Sequence, residues 1–428
     1  MIGHVTSYAS EQYADTAEAA WRWVLDQVTW DDDGPAIPVD DGFPTGMHSG
    51  VGGLAHALTE IGLSRPWTPE ERELAEGIVA RVRSGITTST EANYFDGLAG
   101  DIGVLTALDA DGAEAAVDRL ADLAEIDCRG NDATLGTASV LLGAVWAVRH
   151  GVPGADQLAR RACDILLAEA EEEGTGLNWR FVPLRFRTTP AYEMPNWSHG
   201  LAGIAATVAL AGAELGRPDL VDAARRGAEH LVTLGDTSDG GFRVPVQVPR
   251  PPEADTEEFA YGWCHGASGT SRLFPALALA GVDELAGEAP AYWERRCLHS
   301  VRSSGLPEWL HPGFWDNDGR CCGTVGVGEV FLDAWQRGGD PDDLAFATLL
   351  ADTLVDRAHR DGPHAFWRFV EHRSPEPLLP PGVGWMQGAA GIAAYLFRSS
   401  RIARDDRGAA AVARMDNWWT LPAAGPGA

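Results

Sequence analysis

One pattern of apolar and polar positions returns seven times along the chain: a variable residue pair, a glycine, two small or apolar residues, a second glycine, then an apolar helix-forming run. It appears as HSGVGGLAHAL at Gly50 and Gly53, FDGLAGDIGVLTAL at Gly97 and Gly100, and SHGLAGIAATVAL at Gly200 and Gly203. It returns as CHGASGTSRLF at Gly266 and Gly269, CCGTVGVGEVFL at Gly323 and Gly326, and MQGAAGIAAYLF at Gly388 and Gly391. A degenerate third copy, TLGTASVLLGAVWAV, starts at Gly136 with Ser139 in place of the second glycine. The first glycines stand 47, 39, 64, 66, 57 and 65 residues apart, which suits a two-helix unit with loops of uneven length.

The segments between copies read as amphipathic helices. Thr68-Pro69-Glu70-Glu71 has the form of a capping box with proline at the first helical position, leading into Leu74, Ile78, Val79 and Val82 on one face. Pro218-Asp219 opens another, with Leu220, Ala224 and Leu231 facing inward and Gly235 as its stop, and Pro341 opens a third. The runs after the glycines are apolar nearly all round, as buried helices are. Polar amphipathic helices alternating with buried ones describe an outer and an inner ring, and seven such pairs predict an all-α protein, an α/α toroid. The glycines let the buried helices start close together, where a β-carbon would clash. With no linker-like stretch, residues 1–428 are expected to form one domain with a short flexible tail from about residue 421. Proline- and aromatic-rich loops, Asn178–Trp197 and Asp236–Tyr261, run directly into glycine pairs and are expected to gather where the buried helices begin.

Charge narrows the partners. Lys and Arg number 33 against 62 Asp and Glu, a net charge of −29, so the surface repels phosphate backbones and a nucleic-acid partner is not expected. The N-terminus lacks a basic segment followed by an apolar core, and no apolar run is long enough to span a bilayer, so the expected location is the cytoplasm. There, clustered cysteines point to metal or catalysis before disulfides.

Six cysteines are present, and three share a repeat phase. The two positions before the first glycine hold Cys264-His265 in one copy and Cys321-Cys322 in the next, so Cys264 lies 57 and 58 residues from the other two. Equivalent positions in neighbouring repeats face one end of a ring, which brings the three thiols together without a local CxxC motif. Each also sits at a helix N-terminus, where the dipole favours thiolate. A lone cysteine in such a glycine-rich segment is more often a small buried residue. Three at one phase point instead to a zinc site with three protein ligands and an open fourth position. Cys128, Cys163 and Cys297 fall outside this phase and read as packing residues. A disulfide between adjacent Cys321 and Cys322 is disfavoured by ring strain.

On SHG at Ser198–Gly200, WCHG at Trp263–Gly266 and CCG at Cys321–Gly323, and on the repeats throughout, the chain resembles the lanthionine synthetase C-like (lanthipeptide cyclase) proteins. The resemblance implies an α/α toroid with zinc at one end, acting on a dehydrated precursor peptide. It also implies addition of peptide cysteine thiols to dehydroalanine or dehydrobutyrine, with dehydration left to a separate dehydratase or kinase-lyase partner. By matching position, Cys264, Cys321 and Cys322 would be the zinc ligands, the last standing where the family usually has histidine. His199 matches the family's acid/base histidine, and Asp132 an aspartate of the third repeat. One departure is Ala260, where the family often has an arginine; Arg320 and Arg272 are the candidate substitutes. Two other readings share these residues: addition of glutathione or another small thiol to dehydro residues of proteins, and a zinc-stabilised peptide-binding scaffold without turnover.

Overall fold

The structure, a computed structural model, describes residues 2–39, 42–123, 130–183, 186, 193–252, 257–308, 315–371, 376 and 378–422. Its helices run α1 (Ile2–Asp26), α2 (Leu54–Ser64), α3 (Pro69–Ile86), α4 (Leu98–Ala107), α5 (Ala113–Asp122), α6 (Thr137–Arg149) and α7 (Ala155–Ala168). They continue as α8 (Leu201–Leu215), α9 (Pro218–Leu234), α10 (Ala267–Ser271), α11 (Leu273–Leu279), α12 (Pro290–Arg302), α13 (Thr324–Gly338), α14 (Pro341–Arg357) and α15 (Ala389–Asp405). Each of the seven glycine patterns leads into a helix, the first through the 3-10 turn Val51–Gly53 and the fifth into the pair α10 and α11. The glycine-led helices are buried on nearly every side; every residue of α8 from Leu201 to Gly212 is buried. The helices between them bury one face, as α9 does with Leu220, Ala224 and Leu231.

The predicted helix starts form as read. Thr68 N donates to Glu71 Oε2 at 2.7 Å, and Glu71 N donates back to Thr68 Oγ1 at 3.2 Å, a reciprocal capping box. Leu74, Ile78 and Val82 are buried, while Val79 is half-buried. Asp340 caps α14 by accepting from Asp342 N at 3.0 Å, and Gly235 ends α9. Short antiparallel hairpins follow three of the amphipathic helices: β1 (Thr29–Asp31) with β2 (Gly34–Ala36), β3 (Glu171–Glu173) with β4 (Gly176–Asn178), and, after β5 (Trp315–Asp316), β6 (His359–Asp361) with β7 (His364–Phe366). β5 pairs antiparallel with β8 (Val370–Glu371). In two of these hairpins the tryptophan just beyond the second strand turns back to the preceding helix. Trp179 Nε1 donates to Leu166 O at 2.7 Å and Trp367 Nε1 to Leu354 O at 2.9 Å, satisfying carbonyls near the helix ends.

The chain divides into two compact units, one of Met1–Gly85, Ala107–Ala110 and Phe314–Ala428, the other of Ile86–Thr106 and Asp111–Gly313. In the first, α15 packs against α1, α2, α13 and α14, so the last repeat is a neighbour of the first. In the second, α8 packs against α6, α9 and α11, and α12 against α10 and α11.

The glycines owe their place to a tighter contact than helix proximity. A β-carbon on Gly203 would stand 2.0 Å from Trp197 O, in the turn that enters its own helix, and 2.9 Å from Ala133 Cβ of the preceding repeat. Gly53 is hemmed in the same way by Met47 O at 2.4 Å and by Trp385 Cβ of the seventh repeat at 2.6 Å. At these two positions the turn before the helix is thus folded under the helix start, with a neighbouring repeat pressed against it.

Candidate metal centre

Those turns are bonded repeat to repeat through their backbones. In one unit Tyr94 N donates to Thr134 O at 3.2 Å and Ser198 N to Cys264 O at 2.8 Å. In the other, Cys321 N donates to Met386 O at 3.0 Å and Met386 N to His48 O at 3.0 Å. This is the physical content of repeat phase: residues at one offset from the glycine are set side by side.

The sulfurs of Cys264, Cys321 and Cys322 all lie within 4.8 Å of one another. Cys264 and Cys321 are buried and Cys322 is half-buried. Cys321 and Cys322 form no disulfide, and Cys322 Sγ donates to Cys321 Sγ at 3.5 Å. Sulfurs about 2.3 Å from a common zinc in a tetrahedral array stand about 3.8 Å from one another, so the spacing fits that ion. The donors fit as well, three soft thiols at helix starts. Cys163 and Cys297 are buried elsewhere, and burial pushes the Cys163 thiol up to about 12 and Cys297 well above its ordinary value. Both are packing residues, as expected; Cys128 lies outside the described residues.

Asp132 and His199 come together beside this turn. His199 Nδ1 is 3.4 Å from Asp132 Oδ1, which also accepts from Thr134 N at 2.9 Å, Leu135 N at 2.8 Å and Thr134 Oγ1 at 2.8 Å. Asp132 is fully buried, which opposes its charge, yet the bond to His199, the imidazole's charge and the two amides outweigh burial and hold it below the usual carboxylate range. The His199 ring is 5.3 Å from that of His265, the residue after Cys264, and meets the edge of Phe181 at 5.4 Å. Phe181 belongs to the first of the two predicted loops, and Glu193 and Val248 join that loop to the second by paired backbone bonds of 2.7 and 2.9 Å. His48, at the phase of Cys264 in the first repeat, bonds through Nδ1 to Ser49 Oγ at 2.7 Å.

Ala260 is buried, and so are both proposed substitutes, Arg320 and Arg272. Arg320 donates to Glu329 at 3.1 Å, and Arg272 lies 5.2 Å from the Trp197 ring. The arginine that reaches the neighbours of Ala260 is one that sequence reading missed. Arg243 donates to Tyr261 Oη at 2.9 Å and its Cζ stands 4.1 Å from the Phe259 ring. It sits in a loop outside the repeat, where no local pattern marks it.

Comparison with solved structures shows the fold. Nisin cyclase matches with a TM-score of 0.61 at 14% identity, over 86% of this chain and 94% of its own. A sugar epimerase from a ruminal bacterium gives 0.52 at 11% identity, over 91% and 98%. A GH76 alpha-mannanase of Bacteroides thetaiotaomicron gives 0.51 at 13% identity, over 92% and 95%. The fold is an α/α toroid, as the repeat predicts. A search of curated protein sequences finds no match. The family model for lanthionine synthetase C-like proteins matches residues 43–404, through all seven glycine patterns, and the chain belongs to that family.

Proposed function

We propose that the protein is a zinc-dependent lanthipeptide cyclase that adds a peptide cysteine thiol to a dehydroalanine or dehydrobutyrine of the same peptide, closing a thioether ring. The observation that carries this reading is the convergence of Cys264, Cys321 and Cys322. The family match running unbroken from residue 43 to 404 supports reading the chain as one cyclase domain. The three cysteines would hold the zinc, which when bound supplies a Lewis acid that keeps a substrate thiol deprotonated at neutral pH.

In the addition a carbon–sulfur bond forms at the β-carbon, the alkene pair moves to give an enolate, and the proton lost by the thiol is replaced at the α-carbon. His199 would deliver that proton. Asp132 engages Nδ1 and would fix the tautomer, which makes Nε2 the atom that would face the substrate. Phe181 and His265 flank the imidazole and limit its rotation. Arg243, bonded to Tyr261, is a cation beside Ala260, the position where the family often carries arginine. The substrate arrives already dehydrated, so a separate enzyme that eliminates water from serine or threonine must supply it.

The test is incubation with a dehydrated, cysteine-containing peptide, then thiol alkylation and mass spectrometry. Cyclisation predicts product of unchanged mass whose thiols resist alkylation. Thiols that stay alkylatable while added glutathione joins the peptide would assign the small-thiol reaction instead, and no change with either thiol would leave a binding scaffold.

A further inference from the structure

The position three residues before the first glycine holds Met47, Tyr94, Ala133, Trp197, Trp263 and Trp385 in six copies of the pattern, and Arg320 in the copy that carries Cys321 and Cys322. This arginine is buried. Its Nη1 donates to Glu329 Oε1 at 3.1 Å and its Cζ lies 4.0 Å from the centre of a Trp385 ring. Gly391 leaves it room, since a β-carbon there would stand 2.8 Å from Arg320 Cδ.

Glu329 lies in α13 and is shared. Besides Arg320 it accepts from Arg398 at 2.7 Å and from Arg414 at 3.3 Å. Burial opposes its charge, but the three guanidinium groups hold its carboxyl well below the usual range. Arg414 also donates to Glu60 of α2 at 3.0 Å, and its Cζ stands 5.3 Å from a Trp385 ring. Arg320 and Arg414 therefore share one carboxylate and one indole. Trp385 precedes Met386, whose carbonyl accepts from both Arg320 N at 2.7 Å and Cys321 N at 3.0 Å. The turn bearing two of the three thiols is thus gripped through its backbone and through the arginine beside it.

Arg414 lies beyond residue 404, where the family match ends. The segment around it is nonetheless interior: Met415, Asp416, Asn417, Trp419 and Thr420 are buried with it. Gln336 Nε2 donates to Ala409 O at 2.8 Å and Thr420 Oγ1 to Asp333 Oδ2 at 2.6 Å, which pins both ends to α13.

We propose that Arg414, supplied by this C-terminal segment, is a positioning residue for the Cys321–Cys322 ligand pair, acting through Glu329, Trp385 and Arg320. The proposal rests on the reading of the three cysteines as a metal centre. Groups behind metal ligands set their orientation, and losing one typically costs about 10–100-fold in affinity. Without Arg414, Glu329 keeps two cations instead of three, Glu60 loses a partner, and the indole beside Met386 loses a neighbour.

The experiment is a cobalt(II) titration of the full-length chain, read by thiolate-to-cobalt absorption and by zinc competition against a chromogenic chelator. Arg414→Ala is expected to keep its helical circular dichroism and to lose about tenfold or more in affinity. Arg414→Lys keeps the charge but cannot reach both carboxylates as a fork does, so it recovers only part of the loss. Leu158→Ala, in the buried face of α7, supplies a general loss of stability for comparison. Wild-type affinity in folded Arg414→Ala overturns the proposal, as does an equal loss in Leu158→Ala at matched Tm. If Arg414→Ala does not fold, Arg414→Lys decides, and unchanged affinity there overturns it. A wild-type chain with no thiolate-to-cobalt band overturns the metal reading itself, and the proposal with it. A wild-type chain that binds cobalt through its thiolates but does not cyclise a dehydrated peptide would instead count against the cyclase reading alone.

Discussion

At the scale of single residues, the chemistry depends on which groups the turns present together. His199 has a carboxylate behind Nδ1 and an aromatic edge against its ring, an arrangement suited to handing over a proton from Nε2. His199→Ala is expected to bind zinc as the wild type does while cyclisation slows by about 10²–10⁴-fold, the usual worth of a positioned acid or base. Wild-type turnover in that variant, measured on the same peptide, would remove His199 from the reaction. Cys322 stands where the family usually has histidine. Cys322→His is expected to retain one metal ion and to lose one of three thiolate contributions to the cobalt spectrum, whereas Cys322→Ala loses metal affinity. The meeting of the three cysteines was legible in the sequence because each stands one or two residues before a repeat glycine, whereas Asp132 entered only through the family resemblance. Arg243 was not, because it reaches Phe259 and Tyr261 from an irregular loop.

At the scale of elements, the glycine pairs made the fold readable. Their spacing gives the helix starts, and the backbone bonds between turns explain why a common offset becomes a common place. The reason first assigned to the glycines was incomplete, since the nearest obstacle is the carbonyl of the helix's own entering turn. Gly269→Ala would put a β-carbon 1.8 Å from Trp263 O, one residue from Cys264. It is expected to destabilise the chain by about 1–3 kcal/mol or more, seen as a lower Tm, and to weaken metal binding. Gly85, in α3, has nothing within 4 Å of its would-be β-carbon. Gly85→Ala is therefore expected to raise stability by up to about 1 kcal/mol. If both substitutions shifted Tm alike, the close-approach account of the glycine pattern would fail. The small hairpins were not foreseen: strands of three residues are too short to show a period, and only the turn glycines Gly34, Gly174 and Gly362, with φ of 119°, 62° and 55°, mark them.

At the scale of the whole molecule, an α/α toroid shared with a sugar epimerase and a mannanase does not fix a reaction. Function is therefore argued from the site, the set of thiols at the helix starts. The buried ionic network around Glu329 and Glu60 was invisible in the sequence, because its partners at positions 60, 320, 398, 401 and 414 are joined only by the fold. Beside it His56 is buried against Trp385, with both ring nitrogens lacking a hydrogen-bond partner among the described residues. Burial first, then the charges of Arg414 and Arg320, outweigh Asp416 and lower its pKa from 6.5 to about 3. The folded state thus refuses a proton that the unfolded chain accepts. The resulting stability is fully present above about pH 6.5 and is lost as pH falls toward 3, reaching a loss of about 2 kcal/mol near pH 5. His56→Phe should flatten the fall in Tm between pH 7 and 5, and an unchanged slope would mean that His56 protonates freely in the folded chain.

The most direct measurement is the metal content of the full-length chain, purified without chelator and compared with its Cys264→Ala and Cys322→Ala variants. The account predicts one zinc per wild-type chain and a loss of zinc in both variants, with helical circular dichroism retained. A fully folded wild-type chain without metal, or variants that keep their zinc, would contradict it.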